Sequence, residues 1–552
     1  MKKKWIDITE FLLLLGILFF LNVIFSNYFF RLDFTEDKRY SISDTGKEML
    51  RKLDDVLYVT VFLDGDLNPG YTRLKKAIEE KLQEFKAYAG NNIQVTFSDP
   101  NAEQNPQLRD RLFYQLSQRG IKPKYYLEEK GGTKQEKYIF PGAIISYKEK
   151  ETPVMFLKGS KILPEEQQLN QSVEVIEFEL LSAIRKLSNK EFKSIAIIEG
   201  HGELKKEEIA DLTNALNENY AVERININDE KNLDRFHAIL VAKPEQAFTD
   251  LEKFKIDQFI MKGGNALFFI DALDVRKDSL QGGETFALIR DLNIEDLLFR
   301  YGARLNQDLV QDLNCGVIKV ATGLNGEVQA LNFPYYPILY NFSKHPIVKS
   351  LDAVYGKFSG TIDTVKADGI TKTPLILTSD KTRTISAPSQ IDLDQLRKDA
   401  KPENFAKSYL PVAVLLEGQF KSLYANRPSL ISGYEVVKQG KGSKVLVCSD
   451  GDLPRNEYNP KGNLTVPLGY DAEMRYMFSN KDFVLNAVDY LMNEELINVR
   501  AKEIALRPLD KVRIIEERTH WQVLNLLVPV VLIIAFAVLR FFYRKKKFES
   551  FK

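Results

Sequence analysis

His201 and Glu203 stand two residues apart in the run Glu199-Gly200-His201-Gly202-Glu203, at the end of an apolar stretch. A carboxylate beside an imidazole moves its pKa across neutrality, so the pair has the residue types for general acid–base work or for part of a metal site. The same run also reads as a tight turn shaped by its glycines, with Glu203 favouring the N-terminus of a following helix. Zinc needs more ligands than this, and neither His-x-x-x-His nor a paired Cys-x-x-Cys occurs. Asp450 and Asp452, in Cys448-Ser449-Asp450-Gly451-Asp452, offer oxygen ligands to a cation or form a solvated Asp-Gly turn. Asp271 and Asp274 follow another apolar stretch. Tyr335 and Tyr336, in Phe333-Pro334-Tyr335-Tyr336-Pro337, form either an exposed recognition patch or the edge of a core.

Other chemistries find no support in the residues. The phosphate-cradling Gly-x-x-x-x-Gly-Lys-Ser/Thr loop is absent, since Gly440-Lys441-Gly442-Ser443 lacks the required order. The chain is therefore expected not to hydrolyse nucleotides. Cys448 sits where a strand would turn into a helix but lacks the flanking glycines of a nucleophile elbow, which favours a buried thiol. Cys315 and Cys448 are the only two cysteines, too few to staple a chain of 552 residues. Lys and Arg number 77 against 76 Asp and Glu, and the resulting net charge of +1 provides no field to draw nucleic acid.

Two α/β segments are expected to position these residues. In the first, Val56–Leu63 and Ile93–Ser98 read as strands, with helices from about Thr72 to Tyr88 and over Pro106–Arg119. A hairpin is expected from Tyr138–Tyr147 and Pro153–Lys158. This order matches a thioredoxin-like domain, but no cysteine precedes Cys315, so thiol redox chemistry is not expected there. Ser172–Leu187 reads as a linking amphipathic helix. Strand, helix, strand, helix and strand then alternate from Ser194 to Ile270, which predicts a parallel, doubly wound sheet. Ligands favour the carboxyl ends of such strands, and His201, Glu203, Asp271 and Asp274 fall there. Residues 360–405 read as a polar excursion. Lys444–Val447 and Asp482–Met492 restore the pattern as strand and helix.

Residues 11–30 and 523–543 carry no charge mid-span and are each about as long as the roughly 20 residues that cross a bilayer. Lys2–Lys4 precede the first, and Arg544–Lys547 follow the second, which predicts cytoplasmic termini with the bulk of the chain on the far side. The first span lacks a small-x-small cleavage site and is expected to be an uncleaved anchor.

The anchor followed by LDFTEDKRYSIS, then IAIIEGHGE at 195–203, NFPYYPILYNFSKHPIVKSLD at 332–352 and NKDFVLNAVDYLMNEELINVRAKEIALRPLD at 480–510 together resemble the GldG-type auxiliary component of the gliding-motility ABC transporter. The resemblance implies an inner-membrane protein with a periplasmic bulk, a permease and an ATPase as partners, and a second domain similar to class I glutamine amidotransferases. Such enzymes need an elbow cysteine with a downstream histidine and carboxylate, a set that is missing here. The expected organisation is α/β: cytoplasmic 1–10, anchor 11–30, thioredoxin-like 31–160, linking helix 161–190, amidotransferase-like 191–510, anchor 523–543 and basic tail 544–552. The expected function is a non-catalytic binding or assembly subunit with no cofactor, no metal and no nucleic acid, a homo-oligomer being left open. The alternatives are a periplasmic hydrolase or amidase using His201 and nearby acids, and a purely structural stalk. His201, Glu203, Asp271, Asp274, Asp450, Asp452, Tyr335 and Tyr336 are the candidate contacts with a ligand or partner.

Overall fold

Ile195 and Ile197 point to one side of a strand, Ala196 and Ile198 to the other, and all four are buried in two different cores. A strand apolar on both faces belongs inside a sheet covered by helices on both sides, and the rest of the architecture follows from that requirement. The computed structural model describes residues 12–13, 15–17, 19–20, 41–130, 133–157, 165–188, 192–322, 327–349, 351–393, 401–427, 429–430, 435–459, 464–492, 499 and 518–549. They fall into two compact units, one within 1–503 and the other within 504–552.

The first layer of the larger unit comprises α1 (Asp44–Arg51), β1 (Leu57–Val61), α2 (Pro69–Ala89), β2 (Ile93–Phe97), α3 (Pro106–Gln118), β3 (Gly142–Tyr147), β4 (Lys150–Met155) and α4 (Glu165–Ser188). The sheet runs β2-β1-β3-β4, with β1 parallel to β2 and antiparallel to β3, and β3 antiparallel to β4. Leu74, Ile78, Leu82 and Phe85 of α2 pack with Ile176, Leu180 and Ile184 of α4 on one face of the sheet. Leu116 of α3 joins Phe62, Phe140 and Ile144 in a smaller core. Helix α2 starts earlier than its apolar pattern suggests. The Asn68 side chain caps it by accepting a bond from the Tyr71 N–H at 3.0 Å, and Pro69 is tolerated at the first position. A hairpin of Lys124–Lys130 and Thr133–Ile139 is an addition that its charged sequence does not announce.

The second layer contains β5 (Ser194–Glu199), α5 (Ala210–Asn217), β6 (Ala221–Asn226), β7 (Ala238–Ala242), α6 (Asp250–Met261), β8 (Asn265–Phe269), α7 (Glu295–Tyr301), β9 (Asn341–Phe342), β10 (Ile370–Leu377), β11 (Pro411–Gly418), β12 (Ser443–Cys448) and α8 (Asn480–Leu491). Its eight strands lie in the order β9-β10-β11-β12-β8-β7-β5-β6. From β6 to β12 neighbours are parallel, as the alternation in sequence predicts. From β12 to β9 they are antiparallel. Part of the expected polar excursion is thus strand β10, in which only Leu375 and Ile376 are fully buried. A strand next to the sheet edge needs few apolar residues, so its sequence carries no clear strand signal.

Helices α5 and α8 cover one face of this sheet through Leu212, Leu216, Phe483, Val484 and Val488. Helices α6 and α7 cover the other through Ile256, Phe259, Ile260, Leu297 and Leu298. Helix α4 belongs to the core of the first layer, yet its last turns reach the second. Arg185 lies 3.9 Å from Asp489 of α8, and Lys186 lies 3.1 Å from Glu218 at the end of α5.

The smaller unit holds α9 (Arg518–Glu549), within which His520–Lys546 is long and apolar enough to cross a membrane. The other expected span, 11–30, lies largely outside the described residues. Those described within it, Leu12, Leu13, Leu15, Gly16, Ile17, Phe19 and Phe20, are helical.

Leu240 sits fully buried on the central strand β7. Leu240→Ala is expected to destabilise the protein by about 2–5 kcal/mol, which urea unfolding followed by circular dichroism would register.

Candidate functional site

The carboxyl ends of β5, β7, β8 and β12 converge, because parallel strands in register end on one edge of a sheet. Past β5, Gly200 and Gly202 adopt φ of 124° and 75°, so the chain reverses within three residues and turns His201 inward. The imidazole is buried and saturated. Its Nδ1 lies 3.1 Å from Glu203 Oε1, its Nε2 lies 3.1 Å from Glu252 Oε2, and its ring stacks on Phe248 with centroids 3.8 Å apart. Burial alone would lower the histidine pKa, but the bonds to Glu203 and Glu252 outweigh it and the net shift is upward. Glu252 also caps α6, accepting bonds from the Thr249 N–H at 2.6 Å and the Thr249 hydroxyl at 2.7 Å. Burial pulls Glu252 up, and its bonds to Thr249 and His201 bring the net shift down. His201 is thus clamped between two carboxylates, an arrangement that favours its charged form. With both nitrogens engaged, neither is free to bind a metal or accept a proton from a substrate.

Just beyond β8 and β12, Asp271, Asp450 and Asp452 form a second group around Lys243, which follows β7. Lys243 is a non-glycine residue at φ 57°, a conformation few side chains adopt. Its Nζ lies 3.1 Å from Asp271 Oδ2 and donates to Asp452 Oδ2 at 2.5 Å. Burial opposes a charged lysine here, but Asp271 and Asp452 hold its pKa above the ordinary value. Asp452 also accepts from Arg455 at 3.2 Å, and Arg455 reaches Glu208 at 2.6 Å. Asp450 accepts bonds from the Ser359 hydroxyl at 2.5 Å and the Lys357 N–H at 2.8 Å, tying a distant loop to the strand end. Burial, with Asp271 and Asp452 nearby, pushes Asp450 up to about 7. Burial also raises Asp452, but Lys243 overcomes this and the net shift is downward. Among the described residues, no three His, Cys, Asp or Glu side chains converge to hold a metal ion.

The remaining candidates lie elsewhere. Asp274 pairs with Arg290 at 2.7 Å on a more exposed strand. Tyr335 and Tyr336 are buried with Phe333, Tyr355, Phe358 and Phe478, so the aromatic run fills a core rather than presenting a patch. Cys448 is buried in β12 with its thiol pushed well up by burial, and Cys315 is pushed up to about 11 by burial and Asp312. A thiol needs a lowered pKa to attack at neutral pH, so neither has the character of a nucleophile.

Sequence reasoning missed Lys243, Arg455 and Glu252. The first two make contacts at separations of 209 and 247 residues. Only Glu252 had a local signal, the Thr249-x-x-Glu252 capping box.

Residues 192–487, more than half of the chain and all of these clusters, match the model of an auxiliary family described as an ABC-type uncharacterized transport system. The chain belongs to that family. The ABC-type transport-system segment is preceded by a match over residues 36–146 to a domain of unknown function, DUF7088. An uncharacterized protein of Borreliella burgdorferi is 21% identical over 568 residues, covering 99% of this chain and 100% of the relative. A solved structure, the mmIFT52 N-terminal domain, superposes over 55% of this chain and 99% of its own at 12% identity, with a TM-score of 0.32. That superposition is too loose to inform function. Membership makes the chain an ABC-transporter auxiliary protein.

His201→Ala leaves Glu203 and Glu252 buried without their shared cation and is expected to destabilise the protein by about 3–5 kcal/mol. A histidine whose folded pKa is raised stabilises most below its unfolded value of about 6.5, and that contribution drains away as pH rises through the folded value. Unfolding midpoints of the wild type should therefore decline above about pH 6.5, and the decline should be shallower in His201→Gln. Lys243→Met removes the cation at the centre of the second group and should lower stability by a similar amount, about 3–5 kcal/mol.

Proposed function

We propose that this protein is a non-catalytic, membrane-anchored subunit that binds to or helps assemble an ABC-type transporter complex. The observation that carries the reading is the state of the strand-end edge. Where a doubly wound sheet would admit a ligand or a reaction centre, the His201 clamp and the Lys243 group fill the space with ion pairs internal to the protein. A site built this way holds the fold, with His201, Lys243 and their carboxylates engaged with one another. Family membership supplies the transporter context.

The finer parts of the reading rest on the sequence. Apolar spans at 11–30 and 523–543, with no charge mid-span and with flanking lysines and arginines, support two anchors, cytoplasmic termini and a periplasmic bulk. The first layer is read as thioredoxin-like, a reading supported by its sheet order and by the return of α4 over the sheet. The second is read as amidotransferase-like, supported by its parallel half. A permease and an ATPase are the proposed partners, and gliding motility is the process that the sequence resemblance suggests. In such a complex the subunit would act through contacts that differ between transporter states, since only a difference in binding energy shifts a conformational equilibrium.

The test is purification of the tagged, full-length protein from detergent-solubilised membranes. Co-purification of an ATPase and a permease in fixed ratio is expected. Its isolation without either, or turnover of a substrate that His201→Gln abolishes in a still-folded protein, would overturn the proposal.

A further inference from the structure

A cavity of 660 Å³ opens at the opposite edge of the second sheet, beside the amino ends of β5, β7, β8 and β12. It has no connection with the ion-paired strand ends described above. Its apolar wall is made by Phe236, Phe259, Val437 and Leu491, and its polar rim by Lys193, Lys262, Lys441, His237 and Asp234. The volume lies within the roughly 300–1,000 Å³ of small-molecule sites.

The walls are held firmly. Gly264 leaves room for the Phe259 ring, which a Cβ at that position would approach to 2.3 Å. Helix α8 ends at the cavity, and the open carbonyls of a helix C-terminus would ordinarily make such a place unfavourable for anions. Here three side chains cap them. Lys444 Nζ donates to the Tyr490 carbonyl at 2.9 Å, Asn265 Nδ2 to the Leu491 carbonyl at 2.8 Å and Lys193 Nζ to the Met492 carbonyl at 2.5 Å.

With those carbonyls satisfied, the rim is basic. Lys262 pairs with Asp234 at 2.5 Å, and Lys193 donates to the Met492 carbonyl. The Lys441 ammonium has no hydrogen-bond or ion-pair partner among the described residues. His237 Nδ1 accepts from the Ser194 N–H at 3.2 Å, which assigns the ring proton to Nε2 and makes that nitrogen a donor.

The geometry points to a binding site for a small soluble organic anion, one carboxylate or phosphate monoester carried on an apolar body. The anion meets Lys441, and the body lies against Phe236, Phe259 and Val437. An acid without an apolar part leaves the wall wet, and a neutral aromatic leaves Lys441 unanswered, so neither alone suits the site.

Fluorine NMR on the full-length protein in detergent tests this with 4-fluorobenzoate and 4-fluorophenyl phosphate as probes and neutral 4-fluorobenzamide as the control. Saturable broadening of at least one anionic probe is expected, with benzamide binding at least about tenfold more weakly. Lys441→Glu should weaken the anionic probe by about tenfold or more while leaving the unfolding midpoint within a degree or so, because the residue is on the surface. Lys441→Arg should preserve binding. Equal binding of benzamide, anionic binding unchanged in Lys441→Glu, or no saturable binding by either anion would overturn the inference. None of these outcomes bears on partner capture from membranes, so the two proposals fail separately.

Discussion

The second layer depends on one buried lysine. Lys243 leaves the end of β7 with its backbone in the left-handed region and places its ammonium between Asp271, beyond β8, and Asp452, beyond β12. Three neighbouring parallel strands are joined at their carboxyl ends by that single charge. Burying it is unfavourable in isolation, and the two carboxylates are unfavourable without it, so each group is tolerable only with the others in place.

His201 performs the same task one strand over. It joins the turn after β5, through Glu203, to the cap of α6, through Glu252. Both clusters stand where a doubly wound sheet places its chemistry, and in both the groups answer one another. Their polar character, read from the sequence alone, suits an active site as well as it suits a scaffold. What separates the two readings is saturation: each nitrogen of the His201 ring already faces a carboxylate, so neither is presented to a substrate.

Much of the fold was legible because it is periodic. The alternation from Ser194 to Ile270, the apolar stripe of α2 and the apolar strand at 443–448 announce themselves through burial on one or two faces. The antiparallel extension was not legible, because β10 lies near a sheet edge and reads as polar. Of the candidate residues, His201 with Glu203 and Asp450 with Asp452 were found by local spacing, and Asp271 by its strand end. Lys243 and Arg455 could not be found in that way, since Lys243 meets Asp452 and Arg455 meets Glu208 across more than 200 residues of sequence. The Phe333–Pro337 run was ambiguous in sequence because aromatics between prolines suit a surface and a core alike. Burial among Tyr355, Phe358 and Phe478 assigns it to the core.

Helix α4 carries a mechanical consequence. It is 24 residues long, which at 1.5 Å per residue makes a rod of about 36 Å. Its body is set in the first layer, and its last turns grip α5 and α8 of the second through Lys186 and Arg185. A continuous helix resists bending far better than a loop, so the two sheets are bridged by a stiff element.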